Sequence, residues 1–158
     1  MNKLFSGGLA LVAGAVILPS DISVKQTYNA PKAEYRADPR LESLLRFFQR
    51  ASCPAVRYVG AFVDAADSFD LDWRLLPSIS YVESTGGKAA PNNNLFGWDS
   101  GRAQFASPAA SIREVGYQLS HSALYRDKDV DGILATYNSN VEYAAKVKSV
   151  MRSIAAEE

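Results

Sequence analysis

A chain of 158 residues, 47% hydrophobic and 22% charged, is long enough to bury about two-thirds of its unfolded surface around one core, and its usage is unlike that of a disordered or fibrous protein. Seventeen basic residues balance seventeen acidic ones, so no long-range field draws in nucleic acid or an acidic membrane surface. Cys53 is the only cysteine and His121 the only histidine, which excludes an internal disulfide framework and a cysteine- or histidine-rich metal cluster, and no cofactor or metal is expected.

Residues 1–20 stand apart. Asn2 and Lys3 precede a nearly uncharged run from Leu4 to Pro19, closed by Ser20 and Asp21, and this reads as an export signal. The run is shorter than the ~20 residues a membrane-spanning helix requires. Retention as an N-terminal anchor is the alternative, and it would be the chain's one membrane contact. Ala13-Gly14-Ala15 has the small-x-small form of a cleavage site but would cut the apolar run short; cleavage after Ser20 or a little later fits the length better. The expected location is therefore exported: periplasmic, cell-envelope or secreted. Residues 21–37 show no sustained period and read as a linker, leaving 38–158 as the folded domain.

Asp38 followed by Pro39 supplies an N-cap and a first-turn proline, and Leu41, Leu44, Leu45 and Phe48 then recur on one helical face. Pro54 opens a second helix with the stripe Val59, Phe62, Val63 and Ala66, ending near Ser68 to Asp70. Asp72 is placed to cap a third, running to about Ser84, where Gly86 and Gly87 accept the left-handed geometry that ends it. Pro77 distorts its first turn or moves its start. Ser107 and Pro108 begin a fourth, with Ile112, Val115 and Leu119 inward, and Val130, Ile133, Leu134 and Tyr137 mark a short fifth. Ser139 and Glu142 have the spacing of a capping box before a sixth carrying Tyr143, Val147, Val150, Met151 and Ile154. No hairpin-type alternation occurs. The expected fold class is mainly α, about six helices with one long irregular stretch, Thr85 to Ala106, whose length demands a functional reason.

Glu83 lies four residues after Ile79 and seven after Leu76, on the apolar face of the third helix. A carboxylate taken out of water keeps its proton to higher pH and can donate it. Glycoside cleavage needs such a donor, because the leaving alkoxide departs only if its oxygen is protonated as the bond breaks. The other reading is a helix-end glutamate that swings out to solvent. The following loop, Asn92-Asn93-Asn94-Leu95-Phe96-Gly97-Trp98-Asp99-Ser100-Gly101, interleaves amides, aromatics and glycines, which suits sugars: their C–H faces pack on rings and their polar groups pair with amides. Phe96 and Trp98 also have a plain reading as residues that pack the loop onto the core.

Leu75-Leu76-Pro77 through Tyr81-Val82-Glu83-Ser84, then Asn94-Leu95-Phe96-Gly97-Trp98, then Phe105-Ala106-Ser107 before Ser111-Ile112, and Tyr137-Asn138 together resemble the bacterial glucosaminidase family. That family includes the mannosyl-glycoprotein endo-β-N-acetylglucosaminidase-like domains and belongs to the lysozyme-like superfamily with the lytic transglycosylases. The resemblance covers roughly residues 71–154. It implies a small lysozyme-like helical domain with an active-site cleft for peptidoglycan-like chains, cleaved at β-1,4 bonds between N-acetylamino sugars. It further implies that Glu83 is the general acid, that Ser84 supports its helix end, that Asn94 and Phe96 hold the cleft wall, that Trp98 lies beside the sugar path, and that Tyr137 comes to the site from the far helix. Packing on the Val130, Ile133, Leu134 stripe would by itself account for the Tyr137 ring.

A two-carboxylate hydrolase would place its second acid about 5 to 10 Å from the first. Asp99 is the nearest candidate, with a turn role before Ser100-Gly101 equally open. A single-acid route, in which the substrate's own acetamido or hydroxyl group attacks, fits this chain better. The alternative is a non-catalytic glycan-binding or scaffolding domain of the same fold, and monomer is the default state. Asp127-Lys128-Asp129-Val130-Asp131-Gly132 has the opening pattern of a calcium loop, but its twelfth position is Asn138 where a bidentate glutamate belongs. Its acids are read as an exposed turn and a helix cap.

Overall fold

A computed structural model of the chain describes residues 38–155. The expected signal or anchor, and the linker up to residue 37, lie outside the described residues. Six α-helices, and no strand among the described residues, make the fold mainly helical. No described helix is long and apolar enough to cross a membrane.

Helix α1 (Pro39–Arg50) starts where the Asp38 carboxylate accepts the Arg40 N–H at 2.9 Å, and it buries Leu44, Phe47 and Phe48. Leu45 of the expected stripe is only half-buried, and Phe47, one residue before Phe48, goes inward in its place. After Cys53, Pro54–Tyr58 forms a 3₁₀ turn before α2 (Val59–Phe69), so the second helix begins five residues later than the proline suggests. Phe48 stacks on Phe62 of α2 with ring centroids 5.8 Å apart. Arg40 fastens the same two helices from outside, reaching Asp38 at 2.8 Å and Asp67 at 2.6 Å.

Helix α3 (Leu75–Ser84) is the centre of the molecule: Leu75 to Ser80 are all buried, so its first turns are enclosed on every face. Each of Leu75, Leu76 and Ile79 contributes ~1.5–3 kcal/mol by leaving water. The Asp72 side chain is not the cap itself. It accepts the Arg74 N–H at 2.9 Å and pairs with the Arg74 guanidinium, shaping the turn that leads into Leu75. Pro77 stands in the first turn, where its missing amide had no helical partner, and α3 starts at Leu75, two residues before the proline and two after the start an Asp72 cap would give. At the other end, left-handed geometry begins at Thr85, one residue before the glycines, and continues through Gly86 and Gly87.

Ser107 caps α4 (Pro108–His121) through the Ala110 N–H at 3.1 Å, with Ile112, Val115 and Leu119 inward as expected. Asp129 caps α5 (Val130–Tyr137) through Gly132 N–H at 2.8 Å, and Asp131 pairs with Lys148 at 2.8 Å; these are two of the three acids of the calcium-like sequence, and the third, Asp127, lies exposed in the preceding turn. The cap of α6 (Val141–Ala155) is Asn140 in place of Ser139: its side chain accepts the Glu142 N–H at 2.9 Å, and Asn138 accepts from Asn140. Asparagine and serine are about equal as caps, so the choice falls to the asparagines, which bond along the turn in sequence. Helix α2 packs chiefly on α4 and α3 chiefly on α6.

Candidate active site

Glu83 stands one residue before the end of α3, half-buried where the enclosed helix emerges. The loop after it is pinned from below. The Ser84 hydroxyl, 2% exposed, donates to the Leu95 carbonyl at 2.8 Å, with the Ser80 carbonyl at 3.0 Å, and accepts the Gly87 N–H at 3.0 Å. Asn94, also 2% exposed, uses its whole amide. Its nitrogen donates to the carbonyls of Trp98 and Ala103, and its oxygen accepts the N–H groups of Trp98 at 3.0 Å and Phe96 at 3.4 Å. Asn93 donates to the Phe105 carbonyl at 2.8 Å and the Phe105 N–H donates to the Asn92 carbonyl, closing the loop on itself. Ser84, Asn94 and the fully buried Phe96 therefore shape the wall from behind and present no surface to a ligand.

Gly97 is the hinge between this scaffold and Glu83. A methyl group added there would fall 2.9 Å from Glu83 Oε2, and φ is +59°, so the carboxylate rests against bare backbone that an L side chain would obstruct. Gly97 also lines a cleft of about 430 Å³ with Trp98, Asp99, Ser100, Leu124, Tyr125 and Tyr137. Its aromatic side is continuous. The Trp98 ring is 5.8 Å from Tyr137 and 6.1 Å from Tyr125, and Tyr137 lies parallel to Tyr143 at 5.9 Å. Asp99 sits at the exposed rim with φ +52°, its carboxylate 2.7 Å from Arg102, in a turn.

Two tyrosine hydroxyls complete the surroundings of Glu83. Tyr137 donates to the Phe96 carbonyl at 2.5 Å, tying α5 to the loop, and burial, then the Glu83 charge, then Tyr125 hold its proton well above the ordinary phenol range. Tyr143, 7% exposed, has a buried hydroxyl with no hydrogen-bond partner. Burial first and then the neighbouring Glu83 carboxylate push its pKa up; the two groups are close enough to act on each other without closing a well-formed bond. An unpaired buried hydroxyl costs ~1–3 kcal/mol, and Tyr143 shares this condition with Ser43, Ser78 and Ser122. No family model, curated protein or solved structure matches the chain.

Of the expected residues, Trp98, Asp99 and Tyr137 line the cleft, together with Gly97, Ser100, Leu124 and Tyr125; Glu83 does not line it and adjoins it at Gly97, with Tyr143 beside the carboxylate. Tyr143 falls on the inward stripe of α6, where helical spacing cannot separate a core ring from one whose hydroxyl reaches a site. Tyr125 and Leu124 sit in the turn after α4 with no pattern to mark them. Among the described residues no group of three or more His, Cys, Asp and Glu is gathered to hold a metal ion.

Proposed function

We propose that the chain is an exported, lysozyme-like enzyme that cleaves β-1,4 bonds of N-acetylamino-sugar polymers, peptidoglycan first among them, with Glu83 as its general acid. The observation that carries this reading is the lodging of the Glu83 carboxylate at the end of an enclosed helix, against Gly97 and beside the unpaired Tyr143 hydroxyl, next to an aromatic-walled cleft. As general acid, Glu83 gives a proton to the glycosidic oxygen as the C–O bond breaks, and the leaving sugar departs as an alcohol. Trp98, Tyr125 and Tyr137 take the C–H faces of the rings. The substrate's own acetamido oxygen or 6-hydroxyl attacks the anomeric carbon, so the protein supplies one acid, and Asp99, held by Arg102, is left to its turn.

That same pairing of Asp99 favours a second reading, a non-catalytic glycan-binding domain with the same cleft. A digest of bacterial peptidoglycan by the purified protein, wild type beside Glu83→Gln, separates the two. Release of soluble muropeptides by wild type alone supports the enzyme, and fragment masses tell a reducing product from a 1,6-anhydro one. If both proteins pellet with the wall and neither releases fragments, the binding domain is the correct reading.

A further inference from the structure

A second groove, of about 460 Å³, lies on another face and shares no lining residue with the cleft beside Glu83; Phe69, Ala110, Arg113, Glu114 and Tyr117 line it. Positions 110, 113, 114, 117 and 121 follow helical spacing along the outer side of α4, and Phe69 ends α2 beside them. Tyr117 is 46% exposed, and it stacks on His121 with centroids 4.5 Å apart and planes 12° from parallel. Phe69 meets both rings edge-on at 5.9 and 5.8 Å, fixing the platform from below. The Arg113 guanidinium sits 5.8 Å over the Phe69 ring and pairs with no carboxylate among the described residues. Glu114 accepts from Gln118 at 2.8 Å and keeps its second oxygen open.

We infer that this groove is a second saccharide-binding site, one that takes the ring of a neutral pyranoside. The face of Tyr117 that His121 does not cover suits the C–H face of a sugar, and the stack holds the ring at little ordering cost. On its flank stand one cationic donor and one anionic acceptor, the complement of hydroxyl groups, which both donate and accept. Opposite charges side by side disfavour a polyanion or a polycation equally. The volume falls in the range of small-ligand sites. The site acts by binding alone and does not depend on Glu83.

The test is an NMR titration of the isotope-labelled full chain with the neutral N-acetylglucosamine tetrasaccharide. Expected are two separate sets of shifts in the millimolar range or tighter, one at Gly97 to Ser100 and one at Arg113 to His121. Tyr117→Ala should weaken the second set by about tenfold or more and leave the first, while Trp98→Ala does the reverse; a melting curve confirms that the exposed Tyr117 substitution leaves the fold intact. Absence of shifts on α4, or their persistence in Tyr117→Ala, overturns the inference. Shifts there that follow protein concentration instead of sugar also overturn it, marking contact between copies of the chain. Should only the α4 set appear, the proposed enzyme loses its cleft and this site stands.

Discussion

Glu83 is governed by neighbours that differ in kind, and substitutions distinguish them. Gly97→Ala puts a methyl 2.9 Å from Glu83 Oε2 at a left-handed position, with a backbone cost of ~1–2 kcal/mol. It should lower the melting temperature modestly and remove most muropeptide release, since the carboxylate must shift. Tyr143→Phe deletes a buried hydroxyl that lies beside the Glu83 carboxylate without a well-formed bond, so stability in a urea melt should change by no more than ~0.5 kcal/mol or rise. Turnover should nonetheless fall by about tenfold or more if the hydroxyl steadies Glu83 in the reacting complex. Unchanged turnover would reduce Tyr143 to packing. The nearness of Trp98 to Tyr137, and of Tyr137 to Glu83, was legible from the resemblance, which sets carboxylate and rings in that order along the chain. Tyr143 was not, because its position satisfies the apolar stripe of α6 equally well.

Local chemistry made the helices themselves legible. Asp38, Ser107 and Asp129 each stand at the cap their sequence announces, and the stripes of α4 and α6 point inward as their spacing requires. Errors came where neighbours compete for one role, as Asn138 and Asn140 do with Ser139, or where 3₁₀ and α geometry share a proline start, as at Pro54. Side-chain hydrogen bonding to Arg40, chiefly, holds the Asp38 carboxyl below its ordinary pKa. The folded group binds its proton less tightly than the unfolded one, so its stabilisation is whole above pH ~4 and is lost as pH falls through the folded value. Acid titration of the melting temperature should show this loss, and Asp38→Asn should flatten it. Ser84→Ala leaves the Leu95 carbonyl and the Gly87 N–H without their partner and should cost ~1–3 kcal/mol, with faster proteolysis between residues 85 and 106 as the readout.

Across the whole molecule, the enclosure of α3 and the stack of Phe48 on Phe62 hold the helices in one arrangement. Phe48→Ala should cost ~3–5 kcal/mol and lower the midpoint of a thermal melt by about ten degrees or more. Which helix lies on which was not legible, because spacing shows that a face is apolar and not what covers it; the contact of α3 with α6 joins segments far apart in the chain. That contact also sets an order of events in biosynthesis. Glu83 meets Tyr143 sixty residues later in the sequence, so a nascent chain that has already formed its carboxylate-bearing helix still lacks the wall behind it. Tyr143 joins Glu83 only when α6 has emerged and docked, after every residue that lines the cleft has already been made.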